Sequence, residues 1–233
     1  MKMATRTPAV LTILVAVASI SLVTVCYSSE DATIGFYLAD AGGRAQCSSL
    51  DPPGCADSNI PVTGELNVGY NAVLCVFNGD VDEGIAGMSF GIEYDSNSAS
   101  GVDVWGWTRC ADLSFPSDNW PDAGEGNRIT WLKSQNCQRE TPDGLTVTAV
   151  AGFFYIFAYS ADRMEITTHN RLSSGPELRV ANCDGVSVDI DPQTQAGHLG
   201  FSDDESEKGD LPCAEIKEEK TTWGSIKNLY ENN

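Results

Sequence analysis

"LTVTAVAGFFYIFAYSADRMEITT", residues 145–168, decides the fold. Leu145, Val147 and Ala149 alternate with polar neighbours, the two-residue period of a strand with one buried face. Residues 153–159 are wholly apolar and aromatic, as a central strand would be. The run "RMEITT" then returns to alternation. A helix would place its apolar residues three and four apart, and these segments do not.

The same period extends outward in both directions. "TIGFYLA" alternates Ile34, Phe36 and Leu38, and "GMSFGIEYD" alternates Met88, Phe90, Ile92 and Tyr94. "GVDVWGWT" presents Val102 and Val104 ahead of two tryptophans, and "RITWL" presents Ile129 and Trp131. "AVLCVF", "ELRVA" and "GVSVDID" complete nine or ten short strands between Thr33 and Phe201, separated by Gly, Pro, Asp and Asn clusters. Many short strands without an amphipathic helix among them predict an all-β chain. The architecture expected is a two-sheet antiparallel sandwich or a jelly roll.

The ends differ in composition. "MKMATRTPAVLTILVAVASISLVTVCYSS" has a basic head (Lys2, Arg6), an uncharged run and small residues near Ser28, the layout of a secretory leader. Cleavage after Ser28 is expected, with a retained membrane anchor as the alternative. Residues 29–201 form the sandwich and residues 202–220 an acidic linker. Residues 221–233 place Trp223, Ile226, Leu229 and Tyr230 on one side of a short predicted helix that Gly224 weakens.

The net charge is −19, and removing Lys2 and Arg6 with the leader leaves 12 basic against 33 acidic residues. Such a surface repels phosphate backbones and anionic lipid heads, so neither nucleic acid nor a membrane surface is an expected partner. Membrane contact is expected only through the leader.

Export implies an oxidising compartment, where cysteines pair. Loss of Cys26 leaves seven, so one stays free. Cys75 lies inside the apolar run "NAVLCVFNG" and is the expected free thiol. The pairs assigned to the rest are Cys47–Cys55, Cys110–Cys137 and Cys183–Cys213.

"GWTRCADLSFPSDNWPDAGEGNRITWLKSQNCQ", residues 106–138, resembles a signature of uncharacterised secreted bacterial proteins. Its tokens are W-x-x-C-A-D-L-x-F-P, W-P-x-x-G-x-G-N-x-I-T-W and a following Cys. "TTWGSIKNLY" resembles a T-W-G-x-I-K-x-L-Y ending shared by exported proteins of those bacteria. The resemblance implies an immunoglobulin-like or cohesin-like sandwich and export, with no catalytic residues to carry over. It also favours Trp223, Gly224, Ile226, Lys227, Leu229 and Tyr230 as a sorting tail, over a segment that docks on its own sandwich or touches membrane.

Several patterns invite chemistry. "GMSFG" matches the G-x-S-x-G nucleophile elbow, but alternation runs straight through it, so Ser89 is expected on the opposite face of an ordinary strand. The nearest bases by type are His169 and His198. Asp103, Glu93 and Glu165 occupy polar positions of alternating strands, where solvent-facing carboxylates belong. "NGDVDEG" and "DIDPQ" space carboxylates closely enough for calcium, yet neither matches an EF-hand, and the first reads as a hairpin turn. No cofactor is expected, with calcium the minor alternative.

Trp105, Trp107 and Trp120 are the candidate ligand platform, Trp105 and Trp107 sharing one strand face by simple alternation. Trp107, Trp120 and Trp131 otherwise pack around or under the loop between Cys110 and Cys137. The function expected is a non-catalytic, exported, cell-surface or extracellular interaction module with a protein or glycan partner. The alternative is a carbohydrate-binding module using exposed tryptophans, and an extracellular hydrolase ranks third.

Overall fold

The computed structural model describes residues 29–42, 46–57, 59–170, 172–202, 204 and 207–213. The expected leader with Cys26, and the expected sorting tail with Trp223, Gly224, Ile226, Lys227, Leu229 and Tyr230, lie outside the described residues, as does most of the expected acidic linker. The described chain is an all-β, two-sheet antiparallel sandwich with only short 3₁₀ turns besides its strands.

One sheet has the order β1-β2-β7-β4, built from Thr33–Asp40, Gly69–Gly79, Val147–Ala158 and Val102–Arg109. The larger sheet runs β10-β9-β3-β6-β5, from Ser187–Asp189, Arg179–Asn182, Ile85–Glu93, Gly126–Thr130 and Leu113–Pro116. Its β3 also pairs with β8, Asp162–Thr167, which pairs with β11, His198–Phe201.

Strand β7 explains why residues 145–168 govern the architecture. What reads as two strands is one of twelve residues, hydrogen-bonded to β2 on one edge and β4 on the other. Phe154, Ile156 and Ala158 face between the sheets, with Phe36, Leu74, Phe90, Ile92, Ile129 and Trp131. Phe154 is the hub: its ring centroid lies 4.5 Å from Trp107, 5.5 Å from Trp120 and 6.2 Å from Phe36. Gly152 makes room for this packing, because a Cβ there would sit 2.5 Å from the Trp107 ring.

The opposite face of β7 is apolar for a second reason. Tyr37, Val73, Cys75, Phe77 and Phe153 form a separate buried cluster on the outside of the smaller sheet. A lid of loop covers it, contributing Leu50, Ile60 and Leu211. Leu211 reaches the sheet over Gly35, where a Cβ would lie 2.1 Å from its Cδ1.

Disulfides hold this lid, and their connectivity corrects the expected pairs. Cys47 bonds Cys110, Cys55 bonds Cys213, and Cys137 bonds Cys183. The assignment of Cys47–Cys55, Cys110–Cys137 and Cys183–Cys213 joined near neighbours in the chain. The fold instead ties the lid to the end of β4 through Cys47–Cys110, joins two lid segments through Cys55–Cys213 and links the segments after β6 and β9 through Cys137–Cys183, so each bond joins segments that meet only after folding. Among the described residues Cys75 is the free thiol, wholly buried, and burial pushes its pKa well above the ordinary value. A thiol held protonated in apolar surroundings is unreactive.

"NGDVDEG" is also corrected. Strands β2 and β3 belong to different sheets, so the segment arches across the sandwich rather than closing a hairpin. Asp80 accepts from the amides of Asp82 and Glu83, and Arg139 donates to the carbonyl oxygens of Val81, Asp82 and Glu83. These bonds within the arch account for its carboxylate spacing.

Candidate functional site

Strand β4 is an edge of its sheet, and its ladder slips between Val104 and Gly106. Val102 and Val104 pair with Ala158 and Ile156 and face the core, and so does Trp107 opposite Phe154. Trp105 is the extra residue of this bulge and points to solvent at 63% exposure, while the slip turns Trp107 inward. Trp105 and Trp107 therefore do not share a face, which corrects the expected platform.

Trp120 leaves the platform too. Its ring packs on Phe90 at 5.4 Å and Trp107 at 5.6 Å, anchoring the connection between β5 and β6 into the core. Trp131 is buried outright. Of the three candidate platform residues, only Trp105 is presented to a ligand.

Trp105 lines a cleft of about 630 Å³ along the β4 edge, with Tyr94, Ser96, Ser98, Asp103, Asn119 and Asp122. One wall is the loop after β3, fixed by Asp162, whose carboxylate accepts from the amides of Asp95 and Val102. The other is the loop after β5. There the Trp120 amide donates to the Ser117 carbonyl, and Ser117 Oγ bonds the Gly126 backbone. Because Trp120 is sunk in the core, Asn119 and Asp122 on either side are held at the rim. The walls are joined by Tyr94, whose hydroxyl donates to the Pro121 carbonyl at 3.0 Å. Burial, followed by the charge of Asp122, pushes the Tyr94 phenol up to about 12, with Asp103 and Glu93 adding to it.

A neighbouring cleft of about 500 Å³ shares Asn119 and Glu125 with the first and is lined also by Phe115, Ser117, Asp118 and His169. Burial, then the Arg128 charge, lowers the His169 pKa, favouring the neutral imidazole.

The outer face of the larger sheet is a second candidate surface. Its floor carries the small residues Gly87, Ser89, Thr130 and Ala181, in register across β3, β6 and β9. Arg128 pairs with Glu177 and Arg179 with Asp189 over this floor. Along its β5 border stand Leu113 and Phe115, 41% and 57% exposed.

The remaining sequence candidates take structural places. Ser89 is 3% exposed within the unbroken strand β3, so the turn a nucleophile elbow requires is absent there. His198 Nε2 bonds the Lys208 carbonyl at 3.0 Å. Among the described residues no group of three His, Cys, Asp or Glu side chains converges to hold a metal.

No family model matches the chain, and no curated protein does. Several solved cohesins resemble it in strand arrangement. One is the cohesin module of a Clostridium perfringens family 33 glycoside hydrolase, 11% identical at a TM-score of 0.41, covering 62% of this chain and 91% of that one. A second, from the Clostridium thermocellum Coh-OlpC-Doc435 cohesin–dockerin complex, is 8% identical at 0.42 and covers 78% and 98%. A third, a type II cohesin domain from the Acetivibrio cellulolyticus cellulosome, is 9% identical at 0.41 and covers 73% and 90%. At such identities and scores the likeness carries no statement about partner or ligand.

Proposed function

We propose that this chain is an exported, non-catalytic interaction module that docks a protein partner on the outer face of its larger sheet. The observation that carries the reading is the union of a flat, small-residue floor with an exposed apolar border at Leu113 and Phe115 and two arginines. Interface cores favour aromatic residues and arginine, and exposed apolar side chains grouped on one face mark contact sites. Export is supported by the leader layout and by three disulfides, which persist in oxidising compartments. Residues 221–233 are the sorting or surface-attachment tail in this reading.

The test is binding of labelled mature protein to the surface of the producing cells. Binding is expected to be lost when the cells are shaved with protease. It is also expected to fall about thirtyfold in Leu113→Asp and Ala181→Arg, the loss of one central contact of about 2 kcal/mol. Binding that survives shaving, or that both variants leave unchanged, contradicts the reading.

A further inference from the structure

We propose that the cleft along the β4 edge binds an uncharged oligosaccharide, with a sugar ring stacked on Trp105 and its hydroxyls held by Asp103, Asn119 and Asp122. This site is centred on Trp105, and its neighbouring cleft meets the border of the docking face at Phe115.

The bulge is the first ground. It turns Trp107 into the core and leaves Trp105 as the strand's outward indole, 63% exposed. An exposed indole has an apolar face that water solvates poorly, and it sits beside a polar rim rather than in an apolar patch. A ligand suited to both must carry an apolar face and a ring of hydroxyl donors at once. A pyranose does, with C–H bonds on its face and hydroxyls on its perimeter.

Charge is the second ground. The described lining of the cleft holds carboxylates, an amide and hydroxyls but no Lys or Arg. Carboxylates accept hydrogen bonds and donate none, so they suit hydroxyl donors and repel anions. Phosphorylated, sulfated and uronic ligands are thereby disfavoured.

Shape is the third. The Trp105 cleft and its neighbour join at Asn119 and Glu125, and a second exposed aromatic, Phe115, lines the neighbour. Each part alone is the size of a small-ligand site, so together they suit a chain of rings better than one. Positioning is built in, because Trp120 in the core and the Tyr94–Pro121 bond hold the rim before any ligand arrives.

The experiment titrates the mature protein with cellohexaose, xylohexaose, mannohexaose, laminarihexaose and chitohexaose, and separately with octalysine, by calorimetry and tryptophan fluorescence. At least one hexaose is expected to bind and to shift the emission of the exposed indole. In Trp105→Ala that affinity should fall at least tenfold while Tm stays within about 2 °C, since an exposed side chain supports little of the fold. Leu113→Asp should bind the hexaose normally, so this site and the docking face fail independently. Absence of heat and fluorescence change with all five at millimolar concentration overturns the proposal. Binding undiminished in Trp105→Ala overturns it as well, and octalysine binding without any hexaose replaces it with a cation site.

Discussion

Replacing Cys55 and Cys213 together by serine is expected to lower Tm by about 10–20 °C. The bond spans a sequence separation of 158 residues. Loop-closure entropy for so long a loop is about 5 kcal/mol, and each kcal/mol moves Tm by about 2–4 °C in a chain of this size. The effect is more than entropic here. Backbone bonds to β1 and β11 hold the lid at Pro61, Val62 and Asp210, but its cover over Tyr37, Val73, Phe77 and Phe153 comes from Leu50, Ile60 and Leu211, and the Cys55–Cys213 bond joins the two segments that supply them. Once it lifts, an apolar sheet face meets water and Cys75 loses its cover. The variant should therefore react with a thiol reagent at Cys75 under conditions where the parent does not. A Tm change under about 3 °C, with Cys75 still unreactive, would show that the lid is not held this way.

Phe154→Ala is expected to cost about 3–5 kcal/mol, the range for deleting a fully buried aromatic side chain. Phe154 touches Trp107, Trp120 and Phe36, and no neighbour can slide far, since β7 is hydrogen-bonded on both edges. Thermal or urea unfolding measures the loss. The comparison with Trp105→Ala is the informative part: two aromatic truncations on adjacent strands, one severe and one near neutral. Equal costs would mean that the bulge does not divide β4 as described.

Periodicity carried most of the fold because strands such as β1, β3 and β8 send alternate apolar residues into the core between the sheets. Strand β5, "LSFP", escaped notice because both its apolar residues, Leu113 and Phe115, point to solvent. Strand β11, "HLGF", is too short to show a period. The platform was half legible. An aromatic-rich strand stood out, but simple alternation cannot reveal a bulge, and one extra residue put Trp105 and Trp107 on opposite faces. "WGW" carries the only available signal, a glycine within a strand of large residues, where bulges are common. The disulfides were illegible for a different reason. Cys75 could be singled out from its apolar neighbours, but partners depend on where the lid folds, and no local pattern encodes that.

The account rests on a sandwich whose smaller sheet is roofed by a lid stitched to it. Mass spectrometry of peptides from the unreduced mature protein tests this most directly. The predicted map links Cys47 to Cys110, Cys55 to Cys213 and Cys137 to Cys183, and leaves Cys75 as a thiol. A peptide joining Cys47 to Cys55, or Cys110 to Cys137, would contradict it, because each of those bonds would close the lid or the β5–β6 segment on itself.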